Sequence, residues 1–172
     1  MASHPLQILP ATPAEVPLLL ELIRELAEFE QLLHAVDATV ESLHAALFGP
    51  QPACEAVVAR VDGEPVGFAL YFHNFSTFRA RRGLYLEDLY VRPAMRGRGV
   101  GKALLVHLAG IAVQRGCARF EWAVLDWNQR AIDFYRSMGA VPMDEWTVFR
   151  VSGEALAALG QQALATGTGE QA

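Results

Sequence analysis

Val16, Leu19, Leu20, Ile23, Leu26 and Ala27 recur at three- and four-residue spacing, which predicts a helix with one buried face. Ahead of them, Thr12-Pro13-Ala14-Glu15 is a capping box with proline at the first helical position, so the helix begins there and should reach about Phe29. Residues 39–48 predict a second, shorter helix, capped by Thr39 and stopped by Gly49-Pro50. The apolar run 6–9 predicts a strand before the first helix. In the middle of the chain, apolar segments 54–61 and 65–74 meet around Asp62-Gly63, a hairpin signal. A basic turn over 79–83 then leads into another strand, 84–91.

Beyond Pro93 the period is helical again, with Val100, Leu104, Leu108 and Ile111 on one side and Gly116 as the stop. Residues 118–125 predict a strand, and Asp126-Trp127-Asn128 a loop and cap. Ala131, Phe134, Tyr135 and Met138 mark a further helix ended by Gly139. Residues 146–151 predict a last strand, Ser152 a cap for one or two helical turns, and 161–172 a small, polar, frayed tail. No repeat or long linker divides the chain, so residues 5–160 are expected to form one domain and 161–172 a flexible tail. Strands 54–91 can pair antiparallel, while strand–helix–strand from 84 to 125 requires a parallel crossover. The expected fold is α/β: a mixed sheet with helices on both faces.

The chain has 172 residues, long enough for a substantial core. Its net charge of −5 argues against a nucleic-acid partner and suits a cationic substrate. Yet Arg79, Arg81, Arg82, Arg92, Arg96, Arg98 and Lys102 gather around one stretch, where an anionic ligand would be favoured. No apolar run is long enough for a membrane helix, and the N-terminus lacks a signal-peptide layout, so a cytoplasmic protein away from membranes is expected. Cys54 and Cys117 lie far apart with no metal-binding or redox motif around them, and the five histidines show no metal spacing. They are expected to be reduced and buried, and no metal is expected. There is no Gly-x-Ser-x-Gly elbow to support a hydrolase.

Residues 84–102 are where strand, acids and glycines come together. Leu-Tyr-Leu-Glu-Asp-Leu-Tyr-Val runs through Arg92-Pro93 into Arg96-Gly97-Arg98-Gly99-Val100-Gly101-Lys102 and a long helix. Such a turn aims backbone N–H groups at an anion. It is not a phosphate-binding P-loop, because Ala103 follows Gly101-Lys102 where Ser or Thr is required. Nor does it fit the dinucleotide fingerprint from Gly97 or Gly99, since Lys102 and Leu104 stand where glycine is needed. Glu87 and Asp88 face opposite ways on a regular strand, so only one can line a cleft unless a bulge intervenes.

Arg96-x-x-Gly99-x-Gly101 at a strand-to-helix junction resembles the acetyl-coenzyme A signature of the GCN5-related N-acetyltransferases (GNAT). Asp126-Trp127-Asn128 followed by Ala131-Ile132-Asp133-Phe134-Tyr135 resembles that family's second motif. Glu25 through Glu30, Tyr85-Leu86-Glu87-Asp88 and Ala123-Val124-Leu125-Asp126-Trp127-Asn128-Gln129-Arg130-Ala131 are similar to the diamine (spermidine/spermine–thialysine) branch. The resemblance implies a mostly antiparallel twisted sheet with a parallel pair at the cofactor cleft, and transfer of acetyl from acetyl-CoA to a small cationic amine.

By that resemblance, Tyr135 is the general acid and Glu87 the amine-side carboxylate. Leu89, Tyr90 and Val91 bind the pantetheine arm, and Arg96, Gly97, Arg98, Gly99, Val100, Gly101 and Lys102 hold the pyrophosphate. Asn128, Gln129, Arg130 and Ala131 border the cofactor. Phe29, Glu30, Glu87, Glu121, Trp122 and Ala123 line the substrate side, and the assembly is a homodimer. The segment 143–146 is shorter than in polyamine enzymes, so a diamine, a polyamine and a lysine- or thialysine-like amino acid all stay open. Acetylation of a protein lysine or N-terminus and a non-catalytic acyl-CoA sensor are the alternatives.

Overall fold

The computed structural model describes residues 5–166. The first helix forms where the capping box lies: the Glu15 carboxylate accepts the Thr12 N–H at 2.7 Å and also pairs with Arg60. A single 3₁₀ turn, Pro13–Glu15, leads into α1, Val16–Phe29, after the short strand β1, Leu6–Pro10. α2 is Val40–Phe48, with the Thr39 hydroxyl accepting the Ser42 N–H at 3.1 Å. β2, Glu55–Val61, and β3, Glu64–Ser76, pair through Asp62-Gly63. Both turn residues have positive φ, 55° and 81°, as a two-residue hairpin turn demands.

β4 is Arg81–Val91, so the basic segment expected as a turn lies largely in the strand, and the reversal falls at 77–80. The cause is the length of β3: its register runs on to Ser76↔Arg81, and the arginines continue the ladder. α3 is Val100–Gln114, followed by Gly116 at φ 66°. β5 covers only Phe120–Trp122, shorter than the expected 118–125. It pairs parallel to β4 over Leu84↔Phe120, Tyr85↔Glu121 and Leu86↔Trp122, and the ladder stops where β4 bulges at the next residue. The sheet order is β1-β2-β3-β4-β5, antiparallel except for that last pair.

One face of the sheet packs on α1 and α2. Leu19, Leu20, Leu22, Leu26, Leu43 and Leu47 close over Ala56, Val58, Phe68, Leu70 and Tyr90. On the opposite face, Leu89 and Val91 approach Gly101 of α3, whose Leu104, Leu105 and Leu108 are buried. The mixed sheet with helices on both faces is therefore as expected. Among the described residues no helix is long and apolar enough to cross a membrane.

The chain divides into two compact units, one through Ala123 and one from Val124. The second holds α4, Gln129–Ser137, with Gly139 at φ 88° beyond its end, and α5, Gly153–Thr166. The strand expected over 146–151 does not form: those residues are irregular, and among the described residues the unit contains no strand to complete a ladder. α5 is far longer than the one or two turns expected and takes in 161–166 of the expected tail. Its alanines, leucines and glutamines are strong helix formers, which composition read as a polar tail conceals. Residues 167–172 lie outside the described residues.

Gly67 sets the closeness of β3 to β4 beside the site. A Cβ there would lie 2.4 Å from the Tyr90 carbonyl oxygen, a backbone atom that cannot turn aside. Gly67→Ala should cost about 1–3 kcal/mol and lower Tm by roughly 3–10 °C, measured by thermal unfolding. An unchanged Tm would show that the two strands are free to separate.

Candidate active site

The site begins at a defect in β4. The register runs Leu70↔Asp88 and then Tyr71↔Leu86, so Glu87 is an extra residue with no partner in β3. A bulge of this kind bends the strand and increases its twist. Pairing with β5 ends at Leu86, and beyond it Leu89, Tyr90 and Val91 pair with β3 alone. Their side chains alternate as expected, Tyr90 toward α1 and Leu89 and Val91 toward α3. The β5-facing backbone of this segment is left for something other than a strand.

The bulge also gathers carboxylates. Glu87 is exposed, while Asp88 is half-buried, and its carboxylate has no hydrogen-bond or ion-pair partner among the described residues. Burial pushes the Asp88 carboxyl up to about 6, and the nearby charges of Glu87 and Glu30 add to the rise. Burial likewise raises Glu30, which caps the C-terminal end of α1. There the chain turns through Gln31 at φ 62°, with the Leu32 N–H donating to the Ala27 carbonyl at 2.7 Å. Asp88 is the carboxylate beside the bulge that sequence reasoning set aside, because strand alternation turned it from Glu87 and no glycine or proline announces the bulge.

After β4 the chain makes a 3₁₀ turn, Pro93–Met95, and reaches the glycine loop. Gly97 and Gly99 have φ of 77° and 83°, and nothing lies within 4 Å of where their Cβ atoms would stand. Gly99 is the N-cap of α3. The Arg96 N–H bonds to the Pro93 carbonyl and the Ala103 N–H to the Gly99 carbonyl. Between them, the N–H groups of residues 97–102 have no backbone acceptor among the described residues. Uncommitted N–H groups at a helix N-terminus, reached across open space, fit a pyrophosphate. Arg98 and Lys102 are exposed beside them, and Val100 is buried beneath.

Two arginines tie this segment to α1. Arg92 donates to both carboxylate oxygens of Glu25, 2.7 to 3.2 Å away, and to the Pro65 carbonyl at 3.1 Å, and also pairs with Glu21. The Arg92 guanidinium holds the Glu25 carboxyl below its usual range. Arg96 donates from Nε to the Val91 carbonyl at 2.8 Å, with its guanidinium carbon 4.6 Å from the Phe29 ring centre and 5.4 Å from that of Tyr90. Phe29 and Glu30 thus stand beside β4 and its loop. Neither arginine contact was legible in the sequence, since both join segments more than sixty residues apart.

Glu121 is held differently from the other acids. Its Oε2 accepts from Asn74 Nδ2 at 2.9 Å and pairs with Arg119 at 2.8 Å. Trp122 stacks near Phe120, with ring centres 4.9 Å apart, and Ala123 ends the first unit. In the second unit, Asn128 caps α4 by accepting the Ala131 N–H at 3.3 Å, as expected. Gln129 binds Asp133 at 2.7 Å, Arg130 is exposed, and Tyr135 lies against Phe134 with ring centres 5.3 Å apart.

Residues 19–140 match the acetyltransferase (GNAT) family. The chain is 42% identical over 149 residues to the thialysine N-epsilon-acetyltransferase of Bos taurus, covering 80% of this chain and 87% of that one. It is 32% identical over 194 residues to the L-ornithine N5-acetyltransferase of Arabidopsis thaliana, covering 87% and 85% respectively. Among solved structures, an integron cassette protein from V. cholerae superposes with a TM-score of 0.77 at 27% identity, over 91% of this chain and 98% of that one. A family match of that length, together with a fold of that likeness, makes this chain a member of the GNAT family of acetyltransferases.

Proposed function

We propose that the chain transfers the acetyl group of acetyl-CoA to the primary amine of a small cationic substrate, by direct attack in a ternary complex. The observation that carries this reading is continuity along one strand. Carboxylates stand at the bulge of β4, a stretch with no β5 partner follows over Leu89, Tyr90 and Val91, and the N–H groups of 97–102, without a backbone acceptor among the described residues, come next. Relatives named for thialysine and ornithine support an amino acid with a side-chain amine, and a human relative named for spermidine/spermine supports a polyamine.

In this reading the N–H groups of Gly97, Arg98, Gly99, Val100, Gly101 and Lys102 hold the pyrophosphate of acetyl-CoA, and β4 holds its pantetheine arm. By the family's pattern, Asn128, Gln129, Arg130 and Ala131 border the cofactor. An alkyl amine of pKa about 10.4 is almost wholly protonated at neutral pH and cannot attack until it loses a proton. Glu87 takes that proton, directly or through water. The amine nitrogen then bonds to the thioester carbon, and a β4 N–H supports the oxyanion. As the C–S bond breaks, Tyr135 donates its phenolic proton to the thiolate. Phe29, Glu30, Glu121, Trp122 and Ala123 shape the amine side, Asp88 adds a carboxylate sequence reasoning did not count, and the assembly is a homodimer.

Acetylation assays over spermidine, 1,4-diaminobutane, thialysine, lysine and a lysine peptide test the function. Turnover on small amines and not the peptide is expected; turnover on the peptide alone would make the substrate a protein. Acetyl-CoA binding without any turnover would make the chain a sensor. For the acid, Tyr135→Phe should lower kcat about a hundredfold and leave the Kd for acetyl-CoA within roughly twofold. Wild-type kcat in that variant would assign the proton to another group.

Asp88 gives a separable pH signature. Its carboxyl is raised to about 6 by burial and by Glu87 and Glu30, so the folded state favours the protonated form. Ionisation therefore costs stability: the penalty is absent below the unfolded-chain pKa of about 3.9, grows as pH rises, and is complete above about 6. Asp88→Asn should raise Tm at pH 8, change it little at pH 3.5, and lower kcat/KM for a cationic amine. Equal Tm differences at both pH values would show that the Asp88 charge is not the cause.

A further inference from the structure

The sequence assigns Arg96 to the pyrophosphate, yet its side chain is turned the other way. Nε donates to the Val91 carbonyl at 2.8 Å, and the guanidinium rests over the rings of Phe29 and Tyr90. Tyr90 belongs to the sheet face that packs on α1, whereas the loop it would serve opens α3, which packs on the opposite face. The four N–H bonds on the terminal nitrogens of Arg96 have no hydrogen-bond or ion-pair partner among the described residues. Two aromatic rings and a backbone bond thus fix a cation while leaving its fork open. Arg92, the neighbouring arginine on this side, is fully engaged by Glu21 and Glu25.

Asp88 shares the α1 side of β4 with Tyr90, two residues away. Two residues of strand span about 7 Å. The Asp88 charge is felt together with those of Glu87 and Glu30, and among the described residues no basic side chain pairs with any of the three. The carboxylates at the bulge and the guanidinium of Arg96 therefore lie on the α1 side of β4, each beside the C-terminal end of α1, at Glu30 and at Phe29. A polyamine, which carries only positive charge, would set an ammonium against Arg96. An amino acid whose side chain ends in an amine matches both groups.

Building on the amine-acetylation reading above, we propose that Arg96 is a specificity residue that receives the α-carboxylate of an amino-acid substrate while the bulge carboxylates receive its side-chain ammonium. The guanidinium fork suits a carboxylate bidentately, and the two rings hold it in place before substrate arrives. The reacting nitrogen then lies at Glu87, where the preceding reading needs it. Lysine at position 96 would keep the charge but lose the fork and the stacking.

The test compares each amino acid with the diamine that lacks only its carboxylate: lysine with 1,5-diaminopentane, and ornithine with 1,4-diaminobutane. Wild-type protein should favour the amino acid in kcat/KM by about tenfold or more, as expected for one charge-assisted contact. Arg96→Gln should lower kcat/KM for the amino acid by roughly 10- to 100-fold, chiefly through KM. The diamine should change by less than about threefold and the Kd for acetyl-CoA by less than about twofold. Arg96→Lys should recover only part of the preference. An equal loss on both substrates would make Arg96 a structural prop, and a loss of acetyl-CoA affinity with preference intact would return it to the pyrophosphate; either overturns the proposal.

Lysine methyl ester tests the same contact on wild-type protein, without any substitution. It should be acetylated with a kcat/KM about tenfold below that of lysine, and parity would overturn the proposal. Wild-type protein that binds acetyl-CoA but acetylates no small amine overturns the parent reading and this one with it. Wild-type protein that acetylates diamines as readily as amino acids overturns this one alone.

Discussion

The one-residue bulge at Glu87 is the constraint from which the rest of the site follows. A regular β4 would carry the parallel ladder with β5 past Leu86, and its backbone would be satisfied by a strand. The bulge bends β4 instead, so that Leu89, Tyr90 and Val91 keep their ladder with β3 and lose one with β5. Backbone groups freed in this way must find partners. Arg96 Nε supplies one of them, at the Val91 carbonyl, and in the proposed reading an extended ligand arm lies along the rest of that edge. The same defect brings Glu87 and Asp88 to one place in the strand, which alternation forbids elsewhere. The edge of β4 without a β5 partner and its group of carboxylates thus have a single cause.

A bent strand needs support on its far side, and α1 provides it. Apolar packing alone would let the helix slide along the sheet, because Leu19, Leu22 and Leu26 meet a surface of similar side chains. Arg92 removes that freedom by binding Glu25 bidentately while also engaging the Pro65 carbonyl, so helix, β3 and the end of β4 are pinned together. This pair is half-buried, and its geometry is better than that of an ordinary surface ion pair. The consequence is reach: the end of α1, with Phe29 and Glu30, is delivered beside the bulged strand and its glycine loop.

The sequence spoke clearly wherever a local rule decided the outcome. Thr12 and Glu15, Thr39, Asp62-Gly63, Asn128 and Gly139 all fell at the boundaries that their own chemistry dictates. The glycine loop was legible for the same reason, since Gly97 and Gly99 adopt a φ that other residues resist. What stayed hidden depends on partners distant in sequence. Nothing between Leu86 and Leu89 announces a bulge, so β5 was expected to be longer and Asp88 to point away. Residues 146–151 have strand composition but no strand to join within their unit, and composition cannot supply a neighbour. Arg96 was assigned by its motif, and only the positions of Phe29 and Tyr90 show where its side chain rests.

Asp88 shows why such a site is not built for stability. A carboxyl pushed up to about 6 by burial is one that the folded chain would sooner keep protonated, and no arginine offsets it, although Arg92 and Arg96 lie on the same side of the sheet. Arg92 neutralises Glu25 and leaves Asp88 alone, so the pairing that would relieve the strain is absent where it would be easy to provide. A cationic amine offsets the cost when it binds: its charge favours the ionised carboxylates that the empty fold disfavours. The same holds in reverse at Arg96, whose open fork is stabilised by an incoming anion. In the proposed reading, groups of opposite sign on one side of β4 act as a recognition device, because a ligand carrying both charges relieves both at once.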